Sequence, residues 1–455
     1  MPEGAGCFAG MAGGGFSFVF DGHIIYDFLI MRMTAAGIRR RFYLLTGAHT
    51  LAASIIWGVN TLFLLDSGLD ITQVFLVNAV FTAAMTVFEI PTGAVADTKG
   101  RRVSLAWSSV MLFVGTLGYL GAGTWGGGFA AFAAASVLLG LGFTFFSGAA
   151  EAWAVDELIF LGERGGGASL FAKAATASSI TMLAGTVAGG LLGSLDYRIP
   201  YLLRASLFLL MLGLTLFAMP ERGWKPDGKV LSPMARIRST LKDTVRYGLK
   251  VAPLRRLMGI SFLLGVFLIW GFYALQPYVT ELAGKPGAAW LSGLVTALIT
   301  LSQILGQLLA GRRNKNDTGP RKAVSSKLSR AMLIAALGAL ITGLAGLNSV
   351  QAFFGALLTP TLAIVGLMLL MGSLGYAGPL LRDALHSRIP SEKRATLVSL
   401  DSLVSSGGAI IGQPSLGALA GRFGISFGYL AGIVCFLLTQ PILILFKKGE
   451  KADAG

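Results

Sequence analysis

Cysteine is nearly absent from this chain of 455 residues: Cys7 and Cys435 stand at its two ends. No disulfide framework or cysteine metal motif can be built from that pair. His23, His49 and His386 are the only histidines, too scattered to assemble a zinc site from local spacing. Charge is also scarce. Only 13% of residues are Asp, Glu, Lys or Arg and 54% are hydrophobic, whereas soluble domains carry about 25% charged residues. A soluble globular domain is thereby excluded. No Gly-x-x-x-x-Gly-Lys-Ser/Thr phosphate cradle occurs, so ATP is not the expected energy source. His49 and His386 stand in no Ser-x-x-His or His-x-x-x-x-Asp grouping, which argues against a polytopic membrane enzyme with a convergent nucleophile and base. The net charge of +15 could suggest nucleic acid. Yet the cations lie in loops between apolar runs, without a basic stripe interleaved with aromatics, so no nucleic-acid partner is expected.

What the chain has instead is length in apolar runs. A spanning helix needs about 20 such residues, and reading for that length gives twelve runs. Six lie within 42–219: Phe42–Leu65, Ile71–Val95, Ser104–Gly123, Phe129–Val155, Ala168–Leu195 and Ile199–Met219. Six more lie within 257–446: Leu257–Glu281, Trp290–Gly311, Leu328–Leu347, Phe353–Leu381, Thr396–Ala420 and Ile425–Phe446. A polar linker, 220–256, separates the sets. Within it, Ser232-Pro233 followed by Met234, Ile237, Leu241, Val245 and Leu249 predicts a basic amphipathic helix on the membrane surface. Residues 1–41 form a Gly-rich N-terminal tail in which Met33 reads as a natural start and 1–32 as either an over-long beginning or a disordered tail. Residues 447–455 form a second tail.

Of the 37 Lys and Arg, 33 fall on the face that holds Arg39–Arg41; Arg198, Arg204, Lys285 and Arg422 fall on the other. Cations are retained on the cytoplasmic side, so both termini are expected there, in a bacterial inner membrane. An offset of 227 lays Gly148 on Gly375, Asp156 on Asp383, Ser178-Ser179 on Ser405-Ser406 and Gly185 on Gly412. The aspartate match is the informative one in this composition. The expected fold class is all-α: twelve transmembrane helices in two pseudo-symmetric six-helix bundles.

The stretch Gly93-Ala-Val-Ala-Asp97-Thr-Lys-Gly100-Arg101-Arg102-Val-Ser-Leu105 packs acid, cations and glycine into a turn between two apolar runs. Charges in hydrocarbon cost about 2.5–3.5 kcal/mol or more each, so the turn must sit at a membrane face. The pattern Gly93, Asp97, Gly100, Arg101, Arg102, Leu105 resembles the signature loop of the major facilitator superfamily. Thr98 stands where that family usually has a cation, with Lys99 one place later. The resemblance implies alternating access by two rocking bundles. It also implies a latch in which Asp97 faces the start of the eleventh helix near Ala395-Thr396. Asp156, with Arg101 and Arg102, belongs to this gating set. Phe88-Glu89-Ile-Pro91-Thr-Gly93 and Arg394-Ala-Thr-Leu-Val-Ser399-Leu-Asp401 look like bacterial efflux-type members. Gly185-Thr-Val-Ala-Gly189-Gly190-Leu-Leu-Gly193 partly resembles the drug–proton antiporter signature, without its proline. An arginine common in the fourth helix of those exchangers is missing from Val137–Ala150.

Three acids inside or near helices are candidates for proton coupling. Glu89 and Asp401 fall in the second and eleventh helices, side by side in the family fold, where two carboxylates in one apolar site cannot both ionise. Structural pairing with nearby cations is the competing reading. Glu151 is either a gating acid or an interfacial one. Substrate-cavity candidates are the aromatic and amide residues Trp57, Asn60, Phe143, Trp270, Tyr273, Gln276, Gln303 and Gln307. Gln276-Pro277 and Gln413-Pro414 mark kinks whose freed carbonyls could line a cavity. Lys173 is expected to snorkel to the inner surface, with contact to a substrate anion as the alternative, and Arg204 to reach the outer surface. The function expected is a monomeric carrier exporting small amphipathic organic molecules in exchange for protons, without cofactor or metal. A proton-linked importer is the alternative.

Overall fold

The computed structural model describes residues 34–163, 167–225, 250–316, 324–389 and 394–452. The tail 1–32 and the amphipathic segment of the linker lie outside the described residues, as do the side chains of the basic loop after Gly311. Every regular element among the described residues is a helix. The first apolar run breaks into α1 (Ala35–Ser54) and α2 (Asn60–Asp66). Then follow α3 (Ile71–Lys99), α4 (Arg101–Trp125), α5 (Gly128–Phe146), α6 (Ala149–Phe160), α7 (Gly167–Gly193) and α8 (Arg198–Ala218). The second half holds α9 (Ala252–Leu282), α10 (Ala289–Asn316), α11 (Val324–Ala345), α12 (Asn348–His386), α13 (Arg394–Phe423) and α14 (Ile425–Ala452).

Local chemistry sets these boundaries. Thr34 Oγ1 accepts from Gly37 N at 3.2 Å and starts α1. Asp70 and Gln73 close a capping box at the head of α3. Gly100, at φ 111°, makes the tight corner between α3 and α4 that a residue with a Cβ would strain to adopt. Gly148, at φ 72°, splits the fourth run into α5 and α6.

Ten helical stretches are long and apolar enough to cross a membrane. The other two runs complete the expected twelve rods. One is the first, interrupted at 55–59. The other is α13, whose many serines and glycines and whose Gln413 dilute its apolarity without shortening it. Large apolar side chains stand outward around the molecule, among them Phe217 (82% exposed) and Leu195 (77%). Outward apolar surface of this kind is stable in hydrocarbon and would aggregate in water.

The apolar interior divides into two clusters. One gathers residues from Ile38 to Met219 together with Ala289, the other residues from Leu254 to Phe446 together with Phe75, so each half lends one side chain to the other across the seams. The same pairs of rods pack within each. In the first half α1 lies on α7, α4 on α8, and α5 on both α3 and α4. In the second half α9 lies on α13, α11 on α14, and α12 on both α10 and α11. Matching positions therefore meet matching neighbours, as a duplicated bundle requires. Between the bundles, α3 packs on α13 and α7 on α10. These two seams exchange under the same pseudo-twofold relation.

Candidate functional site

The charged turn sits at the end of the rods that, among the described residues, holds most of the Lys and Arg, here the basic face. Arg101 reaches back across the Gly100 corner to Asp97, Nη1 to Oδ1 at 2.5 Å, and across to Asp156, Nε to Oδ2 at 3.5 Å. One guanidinium thus ties α3, α4 and α6 together. Arg102 turns the other way and donates from Nε to Thr215 O at 3.1 Å and from Nη2 to Leu216 O. Its partners are the carbonyls that the end of α8 leaves without an intrahelical donor. A residue the sequence reading passed over completes the turn. Glu221 Oε1 accepts from Arg102 N at 2.8 Å and caps α4. Buried Glu157 accepts from Arg222 N at 2.6 Å and Gly223 N at 2.7 Å, pinning the strap after α8. Glu221→Ala should cost about 1 kcal/mol by loss of the cap. Thermal unfolding of the detergent-solubilised protein would read this as a lowered midpoint with an unchanged yield in the membrane.

At the far end of the rods the bundles are pressed together. The 55–59 break in the first rod exposes backbone groups that Gln276 of α9 satisfies. Its amide donates to Trp57 O at 2.6 Å and accepts from Thr61 N at 2.8 Å. Ser292 Oγ donates to Gly58 O at 2.5 Å. Gly58, Gly190 and Gly293 meet here backbone to backbone: a Cβ on Gly293 would lie 2.6 Å from Gly190 Cα, and one on Gly58 would lie 2.7 Å from Gly293 Cα. Small residues permit this approach. Further along, Thr72 Oγ1 donates to Gly417 O at 3.4 Å, and Gln413 Nε2 to Thr82 Oγ1 at 3.0 Å.

Beneath that seam lies a cavity of about 240 Å³, lined by Ile56, Trp57, Asn60, Asn78, Phe81, Met85, Tyr119, Leu139, Phe143, Arg204 and Tyr273. Its walls are mainly aromatic and aliphatic with a few convergent polar groups, the usual make-up of a small-molecule site. Arg204 is 3% exposed and lies six residues into α8, about 9 Å along the rod. Its guanidinium faces the rings of Phe143 at 5.9 Å and Phe208 at 5.4 Å. Buried His49 stacks on Phe146 with centroids 3.6 Å apart.

A signature turn, a duplicated helix packing and a cavity at the bundle interface all fit one architecture, and comparison decides it. Residues 42–413 match the model of the Major Facilitator Superfamily. The chain belongs to that family. An "Uncharacterized MFS-type transporter YxaM" of Bacillus subtilis (strain 168) is 24% identical over 416 residues, spanning 89% of this chain and 94% of the relative. Among solved structures, the nucleoside transporter NupG superposes with a TM-score of 0.71 at 12% identity, covering 90% of this chain and 98% of its own. A D-xylose-proton symporter superposes at 0.63 with 14% identity, covering 92% and 97%. At such identities these structures speak to the fold alone. The chain is a multi-pass membrane protein and a secondary transporter of the superfamily type.

Against that frame the residues singled out from sequence separate. Trp57, Asn60, Phe143 and Tyr273 line the cavity. Four others do not. Trp270 is fully buried among Phe75, Phe267 and Tyr429: a large ring near a seam is most stable where it fills the core. Gln276 is fully buried with its amide committed to the broken first rod, so it clamps the seam. Gln307 is exposed and Gln303 half-buried on α10, and neither borders the cavity. Of the kink carbonyls, that of Tyr273, four residues before Pro277, accepts from Thr61 Oγ1 at 3.0 Å across the seam.

Glu89 and Asp401 do not form a shared pair. Ser147 donates to Glu89 Oε1 at 3.2 Å within the first bundle, and Asp401 has Ser261 of α9 as its hydrogen-bond neighbour within the second. Their helices α3 and α13 join at the other end, through Thr72 and Thr82, which leaves these carboxylates to their own bundles. Glu151 is exposed in the first turn of α6, where the helix dipole favours an acid. The expected contact of Asp97 falls on the side chains of Ala395 and Thr396, outside the described residues. Arg204 does not snorkel: its face of α8 turns into the bundle. Asn78, Tyr119 and Tyr201, missed in the sequence, surround it. The only signal for Arg204 was a cation inside an apolar run, and the position alone fitted a surface reach equally well.

Proposed function

We propose that this superfamily member is a proton-linked secondary carrier for a small organic molecule, with the basic face in the cytoplasm of a bacterial inner membrane. The observation that carries the reading is the cavity beneath the glycine seam, flanked by residues of both bundles: Trp57, Asn60 and Phe143 from one, Tyr273 from the other. A site shared by two bundles can face each side in turn when they rock. The seam holds the side opposite the basic face closed in this conformation. Glu89 and Asp401, near the basic face in the two seam helices α3 and α13, are the candidate proton carriers. The resemblance of the segments around them to efflux-type members supports export in exchange for protons. Symport is the second reading, favoured by the D-xylose-proton symporter among the structures of the same fold.

Proteoliposomes with an internal pH dye and an imposed pH gradient separate the two. A strain lacking the gene, tested against a panel of toxic compounds, supplies the substrate. Exchange predicts that substrate loaded on one side lets protons flow to that side. Symport predicts protons leaving with it. A gradient unaffected by a transported substrate would remove proton coupling altogether, and unchanged coupling in both Glu89→Gln and Asp401→Asn would remove these carboxylates from it.

A further inference from the structure

We propose that the cargo of this carrier is a small organic monoanion whose carboxylate is received by Arg204. The proposal rests on the carrier reading above and adds the chemical class. A guanidinium is charged at every physiological pH, and an unpaired charge in a membrane interior is costly enough to be a functional site by default. Among the described residues no acid pairs with Arg204; its guanidinium faces two phenylalanine rings, with Tyr119, Tyr201, Tyr273 and His49 around it. Its Nε has no hydrogen-bond partner, and neither has Asn78 Nδ2 in the same cavity.

The remaining polar atoms sharpen the class. Tyr201 donates to Asn60 Oδ1 at 2.9 Å, Asn60 Nδ2 reaches Asn78 Oδ1 at 3.5 Å, and Tyr119 shares a 2.7 Å bond with Ser136. The amide oxygens are used, while donors on Arg204 and Asn78 are left over. A cavity whose spare donors include a guanidinium suits a group that accepts, and a carboxylate meets a guanidinium through two parallel bonds. One permanently charged cation matches one negative charge, which favours a carboxylate over a doubly charged phosphate. Phe81, Phe143, Trp57 and Met85 offer an apolar wall to the rest of the molecule.

Binding and flux are read separately. The full-length protein in detergent is titrated with aromatic and aliphatic monocarboxylates, their neutral amides and amines of the same carbon skeletons, following its thermal midpoint. The expected result is that at least one carboxylate raises the midpoint and its amide and amine do not. Arg204→Gln should weaken that binding at least tenfold, Arg204→Lys less, and Asn78→Ala about threefold. Because Arg204→Lys and Asn78→Ala keep the charge in place, they test the site even where Arg204→Gln fails to fold. Stabilisation by the amides or amines alone, no response to any carboxylate, or undiminished affinity in the variants would overturn the proposal. Counterflow of the bound carboxylate in proteoliposomes then distinguishes the two readings: binding without flux keeps the anion site and sinks the carrier.

Discussion

Gly293→Leu is expected to abolish transport while the protein still inserts and folds. At that position even a Cβ would stand 2.6 Å from Gly190 Cα and 3.1 Å from Thr186 O. Both neighbours are backbone, which cannot step aside as a side-chain tip can. Relief requires α10 to move away from α7 and from the 55–59 break, which is an opening of the seam. Overpacking of this kind costs about 1–3 kcal/mol, and each 1.4 kcal/mol is a factor of about ten in a population. The closed seam therefore falls by up to about 100-fold relative to the open one, and a carrier held in one state does not cycle. Ser292 supplies the readout, since its Oγ is buried against Gly58 O. In a background with both native cysteines replaced, Ser292→Cys should resist a membrane-impermeant maleimide added on the side opposite the basic face. Adding Gly293→Leu should make it react. Continued protection together with normal transport would show that the seam is not a gate.

Arg101→Ala is expected to reduce transport at least tenfold, because one side chain holds three helices at the basic face. Its loss removes the one cation that Asp97 and Asp156 both contact. The thermodynamic penalty is modest. Both acids are about one-third exposed, so each lost pair is worth about 1 kcal/mol or less. The functional penalty is larger, since the turn Gly100–Arg102 must keep its place while the bundles move. Arg101→Lys should not substitute, because a single ammonium cannot reproduce the two-sided guanidinium contact. Asp156→Asn added to Arg101→Ala should recover part of the activity by removing the charge that Arg101 neutralised on α6. A double-mutant cycle without coupling between positions 101 and 156 would defeat the account.

The sequence was most legible where chemistry is local. Twelve apolar runs, the glycine corner at 100, the acid-and-arginine turn and the repeat of Asp156 on Asp383 all depend on residues close in the chain or on a count of apolar length. The site was only half legible. Trp57, Asn60, Phe143 and Tyr273 border the cavity, but they were chosen by type, and the same rule also chose Trp270, Gln276, Gln303 and Gln307, which do not. An amide in a membrane helix has two satisfactory fates, a ligand or a backbone left open by a break. Gln276 took the second because the first rod breaks at 55–59, and nothing in the residues around 276 announces a break more than 200 positions away. The same limit applies to Glu89 and Asp401. Their helices do adjoin, yet the seam joins them at the other end.

What the sequence alone determined is a membrane chain of two related halves with a superfamily turn on its basic face. Apolar length, charge asymmetry and the cost of burying charge leave few other solutions. What only the tertiary structure decided is which polar groups are already bonded and which are left over. Arg204 reads as a surface-seeking cation in the linear chain. It becomes an unpaired guanidinium beside a cavity only once its face of α8 is turned inward against Phe143, Phe208 and the surrounding tyrosines, because the direction in which a helix presents a side chain is set by packing partners distant in sequence.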